Sequence, residues 1–431
     1  MSSHQFLGIT RPISLASPDD ADLKRSKALE KALEPHGVFE TKQELNHRVE
    51  VLARLNGLVK DWIKELSIQR GMPPHIAKTV GGHIYTFGSY RLGVHDQGAN
   101  IDALCVAPAN IRREDYFSSF VDVLRKQPEV NELHTVQNAF VPLIKMNFDG
   151  INFNMTFARL ELKEVSDTQS LSDSTLLRNL DPKCVQSLHG CRVADEILNH
   201  VPRKETFRLT LRAIKLWAKK HGILSNVLGY LGGISWALMV ARVCQLYPNA
   251  APSTMVQKFF LTYLNWNWPQ PVLIKKPEQT GFGFPVWDPR QNTKDRFHCM
   301  PIITSAYPQQ VCCNTFVPVR CIFSFINAID KIYVLKFSPQ NTTYNVSKSS
   351  LEVMKEEFRL SLAICEEIMS GRAKWDKLFE TPDFFGKYRN FIVIEVSSKS
   401  KEDQLEWYGL VESKVRHLVN IFSDFNLILA D

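Results

Sequence analysis

Residues 85–108 read YTFGSYRLGVHDQGANIDALCVAP, and the fold depends on how this stretch divides. The run His83-Ile84-Tyr85-Thr86-Phe87 is β-branched and aromatic, which predicts a strand. Gly88 and Ser89 follow it. A glycine there lets backbone amides approach an anion closely, and a serine hydroxyl can donate to one. Residues 100–108, NIDALCVAP, predict a second strand. Positions i and i+2 of a strand share a face roughly 7 Å apart, so Asn100 and Asp102 fall together while Ile101 and Ala103 face the core.

Two carboxylates at that spacing can both bind magnesium ions holding a nucleotide triphosphate, and a third on a neighbouring strand completes a two-metal site. Here the first position is the amide Asn100. The third position is visible in INFNMTF, residues 151–157, where Ile151, Phe153, Met155 and Phe157 alternate with Asn152, Asn154 and Thr156. Asn154 stands on the polar face where a ligand is wanted, and it too is an amide. Taken alone, the alternation equally fits a half-buried sheet with one solvated face.

Outward from this centre, a helix is predicted from about Thr41 to Arg70, with Thr41 and Glu44 as a capping box and Gly71 as a stop. The stretch LIKMNFDGINFNMTF predicts a hairpin about Asp149-Gly150. Residues 164–176, EVSDTQSLSDSTL, are polar and read as a boundary. A helical pattern follows to about Leu264, then a Trp-, Pro- and Asn-rich loop over 265–310, then a helix over 350–371. FIVIEV predicts a strand, KEDQLEWYGLVESKVRHLVNIF a helix and NLILA a closing strand.

With 431 residues there is room for two or three domains. At 44% hydrophobic and 23% charged, composition is that of an ordinary soluble globular protein. No apolar run approaches the roughly 18 residues of a membrane span, so no membrane association is expected. The first residues lack the order of a signal peptide. Nine cysteines follow no zinc-like spacing, and reduced intracellular thiols are expected. A net charge of +7 permits an anionic partner such as RNA.

Long stretches carry a resemblance: TFGSYRLGVH, CRVADEIL, FRLTLRAIKLWAKKHGI, LGYLGGISWALMVARVCQLYPNA, PVWDPR, MPIITSAYPQQ and LEWYGLVESKVR. The sequence resembles the eukaryotic nuclear poly(A) polymerases of the mRNA-processing type over nearly its whole length. The resemblance implies an α+β architecture: a polymerase-β-like nucleotidyltransferase palm, a helical middle domain and a truncated RRM-like C-terminal domain. On that division residues 1–15 form a tail, 16–47 a helical segment packing with the middle domain, and 48–163 the palm. Residues 164–349 form the middle domain and 350–431 the incomplete RRM-like domain. The resemblance also implies transfer of AMP from ATP to an RNA 3′ end, with Mg2+ or Mn2+, in the nucleus, by a monomer working with cleavage and polyadenylation factors.

The family's three catalytic aspartates fall on Asn100, Asp102 and Asn154, which leaves Asp102 as the one acidic metal ligand and weakens metal binding. Phe87, Gly88 and Ser89 match its triphosphate loop, and Lys215 its phosphate-contacting lysine. From the amphipathic pattern alone, Lys215 would equally be a solvated lysine. Gly233 and Ile234 match the pair beside the base and ribose, with Asn226 in the same nucleotide-facing segment. Leu224 replaces an aromatic residue near the nucleotide, and Asp96 a small hydroxyl residue. Two readings follow: an impaired or dead polymerase that still binds RNA, ATP or processing factors, or a polymerase working through Asp102. In the first, the chain would serve as an RNA- and ATP-binding or decoy subunit.

Neither nearby acid is expected to repair the site. Asp149 has the wrong strand parity, and Asp96 precedes the strand. Two further departures from the family stand out. Residues 311–340 intervene where it runs straight on, and read as an in-frame retained intron or an insertion. The sequence ends at Asp431, and the resemblance leads one to expect the remaining RRM strands and a basic import tail beyond that point.

Overall fold

The computed structural model describes residues 7–139, 141–276, 287–290, 292–293, 295–304, 341–387, 389, 391–400, 403–404, 407–411, 414–415 and 418. The expected insertion at 311–340 and the closing strand NLILA lie outside the described residues.

The palm is a five-stranded sheet of β1 (His83–Phe87), β2 (Ile101–Ala107), β3 (Val130–Val136), β4 (Leu143–Phe148) and β5 (Ile151–Arg159), in the order β1-β2-β5-β4-β3. Only the β2–β5 pair is parallel; the others are antiparallel. β4 and β5 form the expected hairpin, with Asp149 at φ 52° and Gly150 at φ 80°. Positive φ at both central residues matches the right-handed twist of the strands. β3 was not expected, because VNELHTV carries little apolar alternation and is mostly exposed.

Helix α1 spans Asp20–Leu33 and α2 spans Lys42–Gln69, the latter capped by Thr41 and Glu44 as expected. One sheet face buries Ile101, Ala103, Cys105, Phe153, Met155 and Phe157 against α2 and the helical run Arg113–Arg125. The opposite face carries Leu104, Val106 and Ala158, covered by α4 (Pro182–His200). The short helix α3 (Gly88–Leu92) follows β1 directly.

The middle domain is built on α5 (Lys204–Lys220), α6 (Gly233–Leu246), α7 (Pro252–Leu264) and α8 (Lys348–Met369). α5 is amphipathic and buries Phe207, Leu211, Ile214 and Trp217. α6 is buried on all sides from Ser235 to Leu246, as expected of a central helix. The Trp217 ring packs edge-on against Trp236 at 5.8 Å and Phe260 at 4.7 Å.

The N-terminal segment spans both bodies. α1 packs on α7, where Ser26 Oγ donates to Ser253 Oγ at 3.0 Å. Farther on, Arg212 of α5 donates to the Val38 carbonyl at 3.1 Å, and Gln97 N–H donates to the Gly37 carbonyl at 2.8 Å.

Three sequence expectations need correction. The polar stretch at 164–176 is no clean boundary: Val165 exchanges backbone bonds with Val80 and Gly82, and Tyr85 Oη donates to the Gln169 carbonyl at 2.6 Å. The transition runs along α4, whose Cys184, Val185 and Leu188 join the palm core while Val193, Ala194 and Ile197 join the middle core. Asn100 is exposed and precedes β2 rather than lying in it. FIVIEV, residues 391–396, is not a strand, and Val393 is 87% exposed. A strand needs a paired neighbour, and among the described residues this one has none.

Candidate active site

One transverse row crosses the whole sheet. Phe87, Asp102, Asn154, Lys145 and His134 are successive direct partners on β1, β2, β5, β4 and β3. Direct partners point to the same face, so Asp102, Asn154 and Lys145 stand side by side. The β4–β5 turn sets the last of these contacts. With a two-residue loop at Asp149-Gly150, Asn154 can only meet Lys145. Lys145 was missed by reading the sequence, although counting back from that turn identifies it.

Asp102 is half-buried, and its Oδ1 accepts a hydrogen bond from Asn154 Nδ2 at 3.0 Å. Burial pushes the Asp102 carboxyl above its ordinary range, and the amide N–H offsets part of that. The other carboxylate oxygen lies under Gly88. A Cβ built there would sit 2.6 Å from Asp102 Oδ2, and Gly88 has φ +62°. Both facts require glycine at this position. Phe87 packs beneath α4, where a side chain on Gly190 would meet its ring at 2.6 Å. Ser89 lies in α3, half-buried beside this corner.

The loop from Gly93 to Asn100 is fixed by a buried network. Arg48 Nε meets Glu40 Oε1 at 2.6 Å, and His95 Nε2 meets Glu40 Oε2 at 2.8 Å. All three side chains are less than a tenth exposed. Burial holds the His95 imidazole below its ordinary range, and the Glu40 carboxylate offsets part of this. Arg48 then supplies the charge that balances Glu40.

Lys215 reaches the same loop. Its Nζ donates to the Val94 carbonyl at 2.8 Å and lies 3.7 Å from Asp96 Oδ1. Burial lowers the amine's pKa, and Asp96 pulls it back up. Asp96 therefore faces Lys215. Asp149 pairs with Arg54 of α2. Asn226, Gly233 and Ile234 form a second group. The Asn226 carbonyl accepts from Asn345 Nδ2 at 3.1 Å, and the loop folds back so that a Cβ on Gly232 would lie 3.5 Å from Asn226 Cβ. Asn226 Oδ1 is buried without a partner among the described residues. Leu224 packs against the middle core, and Gly233 and Ile234 open α6.

The row brings a single carboxylate, Asp102, to a pair of divalent ions. A carboxylate only accepts, so the Asn154 amide must turn its NH2 group toward Asp102, and an NH2 group cannot ligate a cation. Among the described residues, no group of three or more His, Cys, Asp or Glu side chains could hold a metal ion. The described cysteines Cys105, Cys184, Cys191, Cys244, Cys299 and Cys365 are free thiols. No helix of the described residues is long and apolar enough to cross a membrane.

Comparison with known proteins places this geometry among relatives. Residues 8–201 match the poly(A) polymerase nucleotidyltransferase domain. Residues 206–328 and 326–381 match the poly(A) polymerase central domain, and 383–428 the poly(A) polymerase predicted RNA binding domain. The chain is 45% identical over 419 residues to nuclear poly(A) polymerase 4 of Arabidopsis thaliana, covering 97% of this chain and 52% of that protein. It is 44% identical over 418 residues to nuclear poly(A) polymerase 2 of the same plant, covering 97% of this chain and 48% of that one. The chain thus spans about half the length of the curated relatives it matches. Among solved structures, the Cid1 poly(U) polymerase with Mg and 3′-dATP bound has a TM-score of 0.52 at 14% identity, covering 83% of this chain and 99% of that chain. Cid1 in complex with the UTP analog UMPNPP gives 0.52 at 14%, covering 84% of this chain and 100% of that chain. At such identity the likeness speaks for the fold alone.

Proposed function

The chain belongs to the poly(A) polymerase family, and from that premise we propose that it engages ATP and RNA 3′ ends in the nucleus, with a strongly slowed AMP transfer. The observation that carries this reading is the hydrogen bond from Asn154 to Asp102. It fills the place of a ligand pair with a donor and a single acid.

In this reading Gly88, Ser89 and Lys215 hold the triphosphate, while Asn226, Gly233 and Ile234 flank the base and ribose. Phe87 supports the loop from beneath α4. Asp102 is the remaining acidic side chain of the row and the group on its two central strands able to accept a proton from a 3′-hydroxyl. Asn100 and Asn154 are neutral, so magnesium or manganese is held weakly through Asp102 alone. Metal ions contribute several kcal/mol to such transition states, and about 1.36 kcal/mol corresponds to tenfold in rate. The transfer step is therefore slower than in a three-carboxylate site by on the order of 10⁴-fold.

Primer extension tests it. Purified protein is incubated with ATP, manganese and an oligo(A) primer, beside the variant N100D/N154D. Faint extension by the chain, rising sharply in the variant, is expected. Robust extension by the unaltered chain would refute the impaired reading. A second reading, a binding subunit of the 3′-end processing machinery without transfer activity, is favoured by the engagement of Asp102 with Asn154. Salt-dependent RNA binding with no extension at all would support it.

A further inference from the structure

We propose that Asp96 competes with a nucleotide's triphosphate for Lys215, and that the segment Gly37–Glu44 keeps it in position to do so. The proposal rests on reading this corner as a nucleotide site, and it concerns what sets the affinity of that site.

Val94 joins two of the groups assigned to the triphosphate. Its N–H donates to the Ser89 carbonyl at 2.9 Å, and its own carbonyl accepts from Lys215 Nζ at 2.8 Å. The ammonium is thereby delivered to the loop that follows Ser89. Two residues on, Asp96 brings a carboxylate oxygen to 3.7 Å from the same nitrogen. The Lys215 side chain is only 16% exposed, so few directions remain from which an anion can approach it, and Asp96 takes up one of them. Burial lowers the pKa of Arg212, three residues earlier on the same face of α5, and Asp96 is among the acids that offset this. One carboxylate thus stands against both cations.

Asp96 is not free to swing aside, because its two neighbours are tied to one N-terminal segment. His95 Nε2 meets Glu40 Oε2 at 2.8 Å. Gln97 N–H donates to the Gly37 carbonyl at 2.8 Å, and Gln97 Nε2 donates to Glu44 Oε1 at 2.7 Å. Ala99 N–H closes a turn on the Asp96 carbonyl at 3.1 Å. With the backbone held on both sides, the short aspartate side chain stays near Lys215. A phosphate that takes Lys215 must separate this pair and then stand beside the displaced carboxylate. The apparent affinity falls in proportion to the fraction of molecules in which Lys215 is free.

Equilibrium dialysis of ATP against the full chain in excess magnesium tests this. Asp96→Asn should tighten binding by about fivefold, the upper scale of a half-exposed ion pair. Gln97→Ala unties one side of the turn and should tighten binding by about twofold, with no further gain in the Asp96→Asn background. Both gains should vanish in Lys215→Met, measured at higher ATP concentration. Circular dichroism melts confirm that each variant is folded. An unchanged affinity in Asp96→Asn overturns the proposal and leaves the nucleotide site standing. An equal gain from Asp96→Asn in the Lys215→Met background would mean general repulsion of ATP, and overturns it too. A loss of affinity in Asp96→Asn would make Asp96 a metal ligand instead of a competitor. A gain from Gln97→Ala that persists in the Asp96→Asn background removes the N-terminal segment from the proposal. If no variant binds ATP, the nucleotide reading fails and the proposal with it.

Discussion

Two polar clusters flank the loop from Gly93 to Asn100, and they have fared differently. On one side, Glu40, Arg48 and His95 are buried, and the Glu40 carboxylate bridges the other two. On the other, the row through Asp102 and Asn154 is half-open and holds a single carboxylate. The first cluster ties the N-terminal segment to the palm. The second holds nothing together, since its strands are already joined by backbone ladders and by the cores on both faces. The cluster that maintains the frame is closed by ion pairs, and the row that would only hold a ligand carries a single acid. A fold can therefore persist unaltered around a site that has changed its chemistry.

The largest expected effect comes from restoring the open cluster. N100D/N154D should raise primer extension by on the order of 10⁴-fold, read as product per unit time with manganese and ATP. Little or no gain would mean that the two amides are not what limits transfer, and the contrast between clusters would collapse. Next comes Glu40→Ala in the closed cluster. Removing one member of a buried ion network leaves an uncompensated charge and costs about 3–5 kcal/mol. A urea titration should show the midpoint falling accordingly, whereas Asn154→Ala should move it far less.

Asp96→Ser sharpens the comparison from a third direction. It frees Lys215 from its ion pair and should tighten ATP binding several-fold, by about 1 kcal/mol, with little change in stability. An unchanged affinity would mean that the 3.7 Å contact does not compete with phosphate. The smallest effect concerns Asp102→Asn. Burial raises the folded-state pKa of this carboxyl above the ordinary 3.8. Its ionisation therefore costs stability above the folded pKa, and that cost vanishes as pH falls through the unfolded value. The variant should be slightly more stable than the parent at pH 7, with the difference closing toward pH 3.8. A difference that grew on acidification would show that Asp102 is held by a stabilising partner instead.

Much of this frame was legible in the sequence. The capping box at Thr41 and Glu44, the Asp149-Gly150 turn and the alternation through Phe153, Met155 and Phe157 are local signals, and each appears where expected. β3 was hidden because its side chains are mostly exposed and carry no alternation. The strand expected at 391–396 failed because pairing depends on a neighbour that local composition does not report. In the site, the two amides Asn100 and Asn154 were plain from the sequence. What the sequence did not show was the direction of the Asn154 amide, the ion pair between Lys215 and Asp96, or Lys145 on the same row. Those depend on which strands neighbour each other and on contacts between elements more than a hundred residues apart.

The two-residue turn at Asp149-Gly150 has a consequence for history as well as geometry. It locks the register of the hairpin whatever side chain stands at position 154. The fold therefore neither penalises the amide nor requires the acid, and folding offers no selection at that position. Asparagine and aspartate codons differ by one base. The scaffold thus stands a single nucleotide change from an acid at each of its two amide positions, with every strand already in place to receive it.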